Sequence, residues 1–116
     1  MSAGHGSASR HWRNQRLTSV ALLPLGLWFL FSLLRQPSLD HAAVAGWFAM
    51  PLQALLAALF GAALLWHSAQ GLQVVLEDYV RGALRRACLV ISRLLHLAAG
   101  LVFAAALAKL AFGGAA

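Results

Sequence analysis

"LTSVALLPLGLWFLFSLL", residues 17–34, is a charge-free apolar run closed at each end by an arginine, Arg16 before it and Arg35 after it. At a helical rise of about 1.5 Å per residue it measures about 27 Å, close to the hydrocarbon thickness of about 30 Å that a membrane span must match. In lipid every backbone amide must be satisfied within its own segment, so a run of this length and composition reads as a transmembrane helix. Pro24 lies inside it. In a bundle that residue is tolerated where neighbouring helices or hydroxyl side chains satisfy the freed carbonyl, and a bend is expected near it.

The rest of the chain continues in the same manner. Of 116 residues, 61% are hydrophobic and 10% charged, whereas a soluble globular domain carries about 25% charged residues. After span one, RQPSLDH (residues 35–41) has proline and aspartate turn chemistry. The apolar stretch that follows is too short to cross a bilayer, and residues 41–49 are read as a short interfacial helix. Pro51 suits the first turn of a new helix, where its missing N–H costs nothing. From there an apolar run of about 39 Å of helix reaches Leu76, so the Glu77, Asp78, Tyr79 end is expected to emerge at the interface. After Arg81 and Gly82 a third apolar run extends to Phe112, with Gly-Gly-Ala-Ala as a soft end.

The predicted fold is an all-α membrane protein. It has a polar basic segment over 1–16, spans at about 17–34, 52–77 and 83–112, and a tail over 113–116. The sixteen leading residues, MSAGHGSASRHWRNQR, are small, polar and basic, and the run after them lacks a small-residue cleavage site, so span one is expected to be retained. So short a leader argues against a mitochondrial transit peptide and for a bacterial inner membrane. Nine Lys and Arg against three Asp and Glu give a net charge of +6. The basic residues flank apolar runs and form no stripe interleaved with aromatics, which argues for topology determinants and against nucleic acid. Arg10, Arg13, Arg16, Arg81, Arg85 and Arg86 fall on one side and Arg35 and Lys109 on the other. The amino end is therefore expected in the cytoplasm and the carboxyl end outside. The single cysteine, Cys88, excludes an internal disulfide and is read as a small apolar packing residue.

One span ends unusually. In "HSAQGLQVVLEDY", residues 67–79, Gly71, Val74 and Asp78 fall within about 40° of the direction of His67 on a helix of about 100° per residue. The stripe continues upstream through apolar Ala63, Phe60 and Leu56, which puts His67 at membrane depth, where an imidazole needs a partner. Two readings stand. A neutral imidazole is a good axial ligand for haem iron, and a glycine one turn along removes a side chain that would meet the porphyrin. Alternatively His67 bonds to a neighbouring helix and Gly71 allows close helix packing. Asp78 and Tyr79 likewise read either as a solvated helix-end charge and an aromatic anchor, or as groups that hydrogen-bond a quinone and pass it protons at the membrane edge.

His67, Gly71 and then Asp78-Tyr79, in the second of three spans, resemble the D-type membrane anchor of succinate dehydrogenase. Arg16, at the mouth of span one and followed by Thr18 and Ser19, matches in position. The resemblance covers roughly residues 10–112 in architecture, although its motif is a handful of residues. It implies an anchor chain of a succinate:quinone oxidoreductase, joined in the membrane to a sister cytochrome b anchor and bearing an iron–sulfur subunit and a flavoprotein subunit. It further implies His67 as one of two axial ligands of a haem b, Gly71 packing against that haem, and Arg16 near its propionates; His11, outside the motif but close to Arg16, is a secondary propionate candidate. Tyr79 would hydrogen-bond ubiquinone with Asp78 beside it. The related quinol-fumarate reductases share the soluble chemistry. A holin-like or transporter subunit of three spans is the redox-free alternative.

Several polar residues fall outside that motif. Arg93 and His96 share a face of span three and form a possible second site; the competing reading has Arg93 snorkelling to the interface and His96 bonding within the bundle. His5, His11 and His41 lie at or beyond the membrane edges. Glu77 is read as a solvated neighbour of Arg81.

Overall fold

A computed structural model describes residues 3–113, and the side chains of residues 6–113. The side chain of His5 and most of the expected tail, residues 114–116, lie outside the described residues. The described chain is helical throughout apart from short links: α1 (Ala3–Leu34), α2 (His41–Phe48), α3 (Pro51–Tyr79) and α4 (Gly82–Phe112). Three of these, over Gly6–Leu34, Pro51–Tyr79 and Gly82–Phe112, are long and apolar enough to cross a membrane. The fold is all-helical with three candidate spans, as the apolar runs predict.

The boundaries move in one place. Helix α1 begins at Ala3, so the basic leader continues span one as helix, because the Arg, Gln and Ala residues that surround its polar positions are good helix formers. The helix also runs on through Pro24. Helix α2 starts from a side-chain cap in which Asp40 Oδ1 accepts the Ala43 N–H at 2.8 Å. That bond, supported by the Ser38 hydroxyl and the neighbouring His41, holds the Asp40 carboxyl below the usual carboxylate range. Pro51 opens α3 in its first turn, where the absent donor is one the helix start would leave unpaired anyway.

Between α3 and α4 only residues 80 and 81 intervene. The reversal is made by Gly82, whose φ of 67° lies in the left-handed region. A Cβ there meets no neighbouring atom, so the cost of substitution is one of backbone conformation. Gly82→Ala is expected to destabilise the fold by about 1–2 kcal/mol, read as a lower denaturation temperature in detergent; an unchanged temperature refutes it. The turn is braced by Arg85, whose Nη1 donates to the Glu77 backbone carbonyl at 3.3 Å, a cation on the negative end of α3. The Glu77 carboxylate instead accepts from Gln73 Nε2 at 2.9 Å, one turn back on its own helix. Glu77 is exposed, in keeping with its reading as a solvated neighbour of Arg81.

Helix α3 is central, with α1 and α4 packed on it, and α2 lies against α3 and α4. Both pairs run antiparallel. Thr18 meets His67 and Phe29 meets Phe60 across the α1–α3 seam, while Ser68 meets His96 across the α3–α4 seam. On that second seam the Phe103 ring occupies the space a Gly61 side chain would need. At the far end the Trp28 and Trp47 rings stack with centroids 5.4 Å apart, and Phe48 lies edge-on to Trp47.

Very little of this is enclosed. Among the described residues only Trp47, Ala57 and Ser92 are buried, and leucines such as Leu23 (70% exposed) and valines such as Val102 (69%) face outward. In water such surface would collapse or aggregate. In lipid the outward faces are solvated by acyl chains, and helix contact rests on close packing and interhelical hydrogen bonds.

Candidate functional site

The polar groups that the apolar spans carry are collected on the two seams of α3. On the α1–α3 seam His67, half-buried, places Nδ1 3.1 Å from Thr18 Oγ1 and 3.5 Å from Ser19 Oγ. The two hydroxyls are themselves anchored to their own helix. Thr18 Oγ1 is 3.0 Å from both the Asn14 and the Gln15 carbonyls, and Ser19 Oγ is 2.8 Å from that of Gln15. Among the described residues the other ring nitrogen, Nε2, makes no hydrogen bond, yet it is not one of the enclosed unpartnered polar atoms, which are Gln15 Oε1, Gln53 Oε1 and Gln70 Oε1. It therefore opens to the surface of the chain.

The second membrane-depth histidine is disposed differently. On the α3–α4 seam His96 Nδ1 is 2.8 Å from the Ser92 carbonyl, and Nε2 is 3.0 Å from Ser68 Oγ. A carbonyl accepts only, so Nδ1 donates to Ser92 and Nε2 accepts the Ser68 proton. Both ring nitrogens are occupied, as the bundle-bonding reading of His96 expects. Arg93 is exposed and borders a cavity of about 190 Å³ with His11, Trp66, Gln70 and Ser92, the last also a partner of the His96 ring. No group of three or more metal-ligating side chains occurs among the described residues.

Gly71 follows His67 by one turn. A Cβ built there would lie 3.7 Å from Gln15 Nε2, an ordinary contact. Nothing in this chain therefore requires a glycine at 71, in contrast to Gly61 under Phe103. The propionate candidates separate around α1. His11 lies two turns before Thr18 on the same face and borders the cavity shared with α3. Arg16, two residues before Thr18, is about 200° around the helix; it is exposed, with its guanidinium 5.2 Å from the centroid of the Trp12 ring. Asp78 and Tyr79 close α3 at the basic end of the bundle, both exposed, Tyr79 at 83%. Neither side chain has a partner among the described residues, and one helical step turns them about 100° apart.

A family model described as the succinate dehydrogenase/fumarate reductase transmembrane subunit matches residues 2–108. The chain belongs to that family. Among its curated relatives, the succinate dehydrogenase hydrophobic membrane anchor subunit of Paracoccus denitrificans is 26% identical over 113 residues, 97% of this chain and 87% of that protein. The subunit of the same name from Rickettsia bellii is 31% identical over 74 residues, 64% of this chain and 59% of its own length. That from Rickettsia prowazekii is 29% identical over 89 residues, 76% and 71% respectively. No solved structure matches the chain.

Within this succinate dehydrogenase/fumarate reductase transmembrane subunit the residues that sequence reading overlooked are the partners of His67. Thr18 and Ser19 stand in the sequence only as neighbours of Arg16, and nothing in their spacing says which helix they meet. The available signal was depth: in an antiparallel pair, a hydroxyl near the start of span one and a histidine near the end of span two lie at the same level. What the periodicity of α1 alone withholds is the rotation that turns one toward the other.

Proposed function

We propose that the chain is a membrane anchor subunit of a succinate dehydrogenase, set in a bacterial inner membrane with its amino end in the cytoplasm. The observation that carries this reading is the unpartnered, open Nε2 of His67 in a chain of this family, beside a second histidine whose nitrogens are both engaged. The printed names of the relatives favour succinate dehydrogenase over fumarate reductase, and family membership favours an anchor over a holin-like or transporter subunit.

A neutral imidazole with a free nitrogen would suit as a ligand of haem b, and Gly71, one turn on with the Gln15 side chain 3.7 Å from its Cβ position, would add no side chain of its own against the group. In the proposed assembly His67 supplies one ligand and the sister cytochrome b anchor the other. Such a haem provides a one-electron site within the membrane. For its propionates His11 has the better position, on the face of Thr18, and Arg16 the better charge, a fork able to bind a carboxylate through two bonds. Tyr79 donates its hydroxyl to a carbonyl oxygen of ubiquinone, and Asp78 passes protons from the aqueous side. Both are free of partners within the chain, as a pocket completed by other subunits requires. The outward apolar faces of α1 and α4 meet the sister anchor and lipid, and the basic end receives the iron–sulfur subunit that carries electrons from the flavoprotein.

The reading is tested by extracting the tagged chain in mild detergent. Copurification with a flavoprotein, an iron–sulfur protein and a second hydrophobic chain, together with a b-type band reducible by succinate, is the expected result. Elution only with copies of itself overturns it.

A further inference from the structure

We infer that Thr18, seconded by Ser19, is a positioning residue that fixes the tautomer and rotation of His67 and so makes Nε2 its coordinating atom. The inference rests on the reading of His67 as a haem ligand and goes beyond it, assigning α1 a part in ligand geometry.

The argument turns on where each hydroxyl proton goes. Thr18 Oγ1 has one proton and lies 3.0 Å from two carbonyl oxygens of its own helix, those of Asn14 and Gln15. Serine and threonine in helices direct their proton to a carbonyl three or four residues back. Ser19 does so with the Gln15 carbonyl at 2.8 Å. Each oxygen then turns lone pairs across the seam toward His67 Nδ1, at 3.1 Å from Thr18 and 3.5 Å from Ser19. A nitrogen facing two acceptors is satisfied only by carrying the proton. Neutral imidazole protonated at Nδ1 has its lone pair on Nε2, and this is the form that binds metal there.

Rotation is fixed by the same contacts. The Thr18 hydroxyl is held from its own helix, and about three turns further along α1 the same seam is closed by the Phe29 and Phe60 rings, with centroids 5.2 Å apart. The ring of His67 is thus tied on its Nδ1 side to hydroxyls anchored on α1 and leaves Nε2 without a partner among the described residues. His96 shows that the chain can do the opposite at a purely structural position, with Nδ1 bonded to its own helix and Nε2 capped by Ser68.

An Nδ1–H that donates to an acceptor makes the ligand more basic, which favours the oxidised metal; loss of the acceptor should therefore raise the reduction potential and weaken binding. The test uses the intact complex, with assembly verified by flavoprotein content. The double variant Thr18→Val, Ser19→Ala is expected to lose haem by about 10–100-fold in affinity, to raise the midpoint potential of what remains and to broaden its low-spin electron-paramagnetic signal. Thr18→Val alone, which keeps the Ser19 contact, shifts the potential in the same direction by less, and Thr18→Ser restores the wild-type value. Wild-type haem content, potential and low-spin signal in the double variant overturn the positioning role. If the double variant fails to assemble, an unshifted potential in Thr18→Val overturns it. His67→Ala separates the two levels: loss of the low-spin signal there beside an unmoved double variant rejects only the positioning role, whereas an unchanged signal in His67→Ala rejects the ligand as well.

Discussion

His67→Ala is expected to abolish the low-spin b-type signature of the assembled complex while leaving the soluble flavoprotein able to oxidise succinate with an artificial dye. The expected loss is larger than the about 10–100-fold in affinity that follows removal of an outer-shell partner, because here a bond to the metal itself is removed. The substitution also breaks the contact with Thr18, so a loosened α1–α3 seam has to be distinguished from a lost ligand. His96→Ala is the control that the structure supplies. It removes a histidine at comparable membrane depth whose two nitrogens are bonded to Ser92 and Ser68, and it should lower the thermal stability of the complex yet keep the b-type band. Comparing reduced-minus-oxidised spectra of the two variants at equal flavin content makes the check. A band retained in His67→Ala, or lost equally in both, counts against His67 as a ligand.

The contrast between these histidines also marks how far sequence alone reaches. Apolar run length locates the three spans, because lipid leaves a backbone no option but the helix, and α1, α3 and α4 cover the expected runs. Pro51 at the head of α3 and Asp40 before α2 were readable for the same reason: each acts within its own turn. The extension of α1 back to Ala3 was not readable from hydropathy, since the leader is polar and its helicity depends on continuity with the span. Periodicity groups His67, Gly71 and Val74 on one face. It does not say that α1 covers that face through Thr18 and Gln15, nor that Arg16 turns away from it toward Trp12. Those facts depend on the relative rotation of two helices, and in a bundle with so little enclosed surface the rotation is set by a few hydrogen bonds and ring contacts that no single-helix pattern encodes. Gly61 and Gly71 make the same point: both are glycines in one span, and only packing distinguishes the one beneath Phe103 from the one in ordinary contact with Gln15.

Tyr79→Phe is expected to lower kcat/KM for succinate:quinone reduction by about 5- to 30-fold, the equivalent of losing one hydrogen bond of about 1–2 kcal/mol, while dye-linked succinate oxidation is unchanged. The physical case begins with exposure. A tyrosine 83% exposed at the last position of α3 has no hydroxyl partner in its own chain, so its bonding capacity is available to whatever meets that end of the bundle. Removing the hydroxyl keeps the ring, so an aromatic anchor at the membrane edge survives the substitution and a hydrogen-bond donor does not. Turnover at saturating quinone and the apparent KM therefore separate the two roles, and a normal rate with a normal KM excludes the donor. Asp78→Asn extends the test to protons. A carboxylate that relays protons to a reduced quinone contributes about 10²–10⁴-fold as a general acid or base, and its amide keeps shape and hydrogen bonding without that exchange. Asp78→Asn should consequently reduce quinone turnover with little change in KM, whereas a charge that merely marks the end of α3 would leave the rate unaltered. The two residues diverge by about 100° on the helix, so one bound quinone can engage Tyr79 directly and Asp78 only through a proton path. That geometry predicts a KM effect concentrated in Tyr79→Phe and a solvent-isotope-sensitive rate effect concentrated in Asp78→Asn.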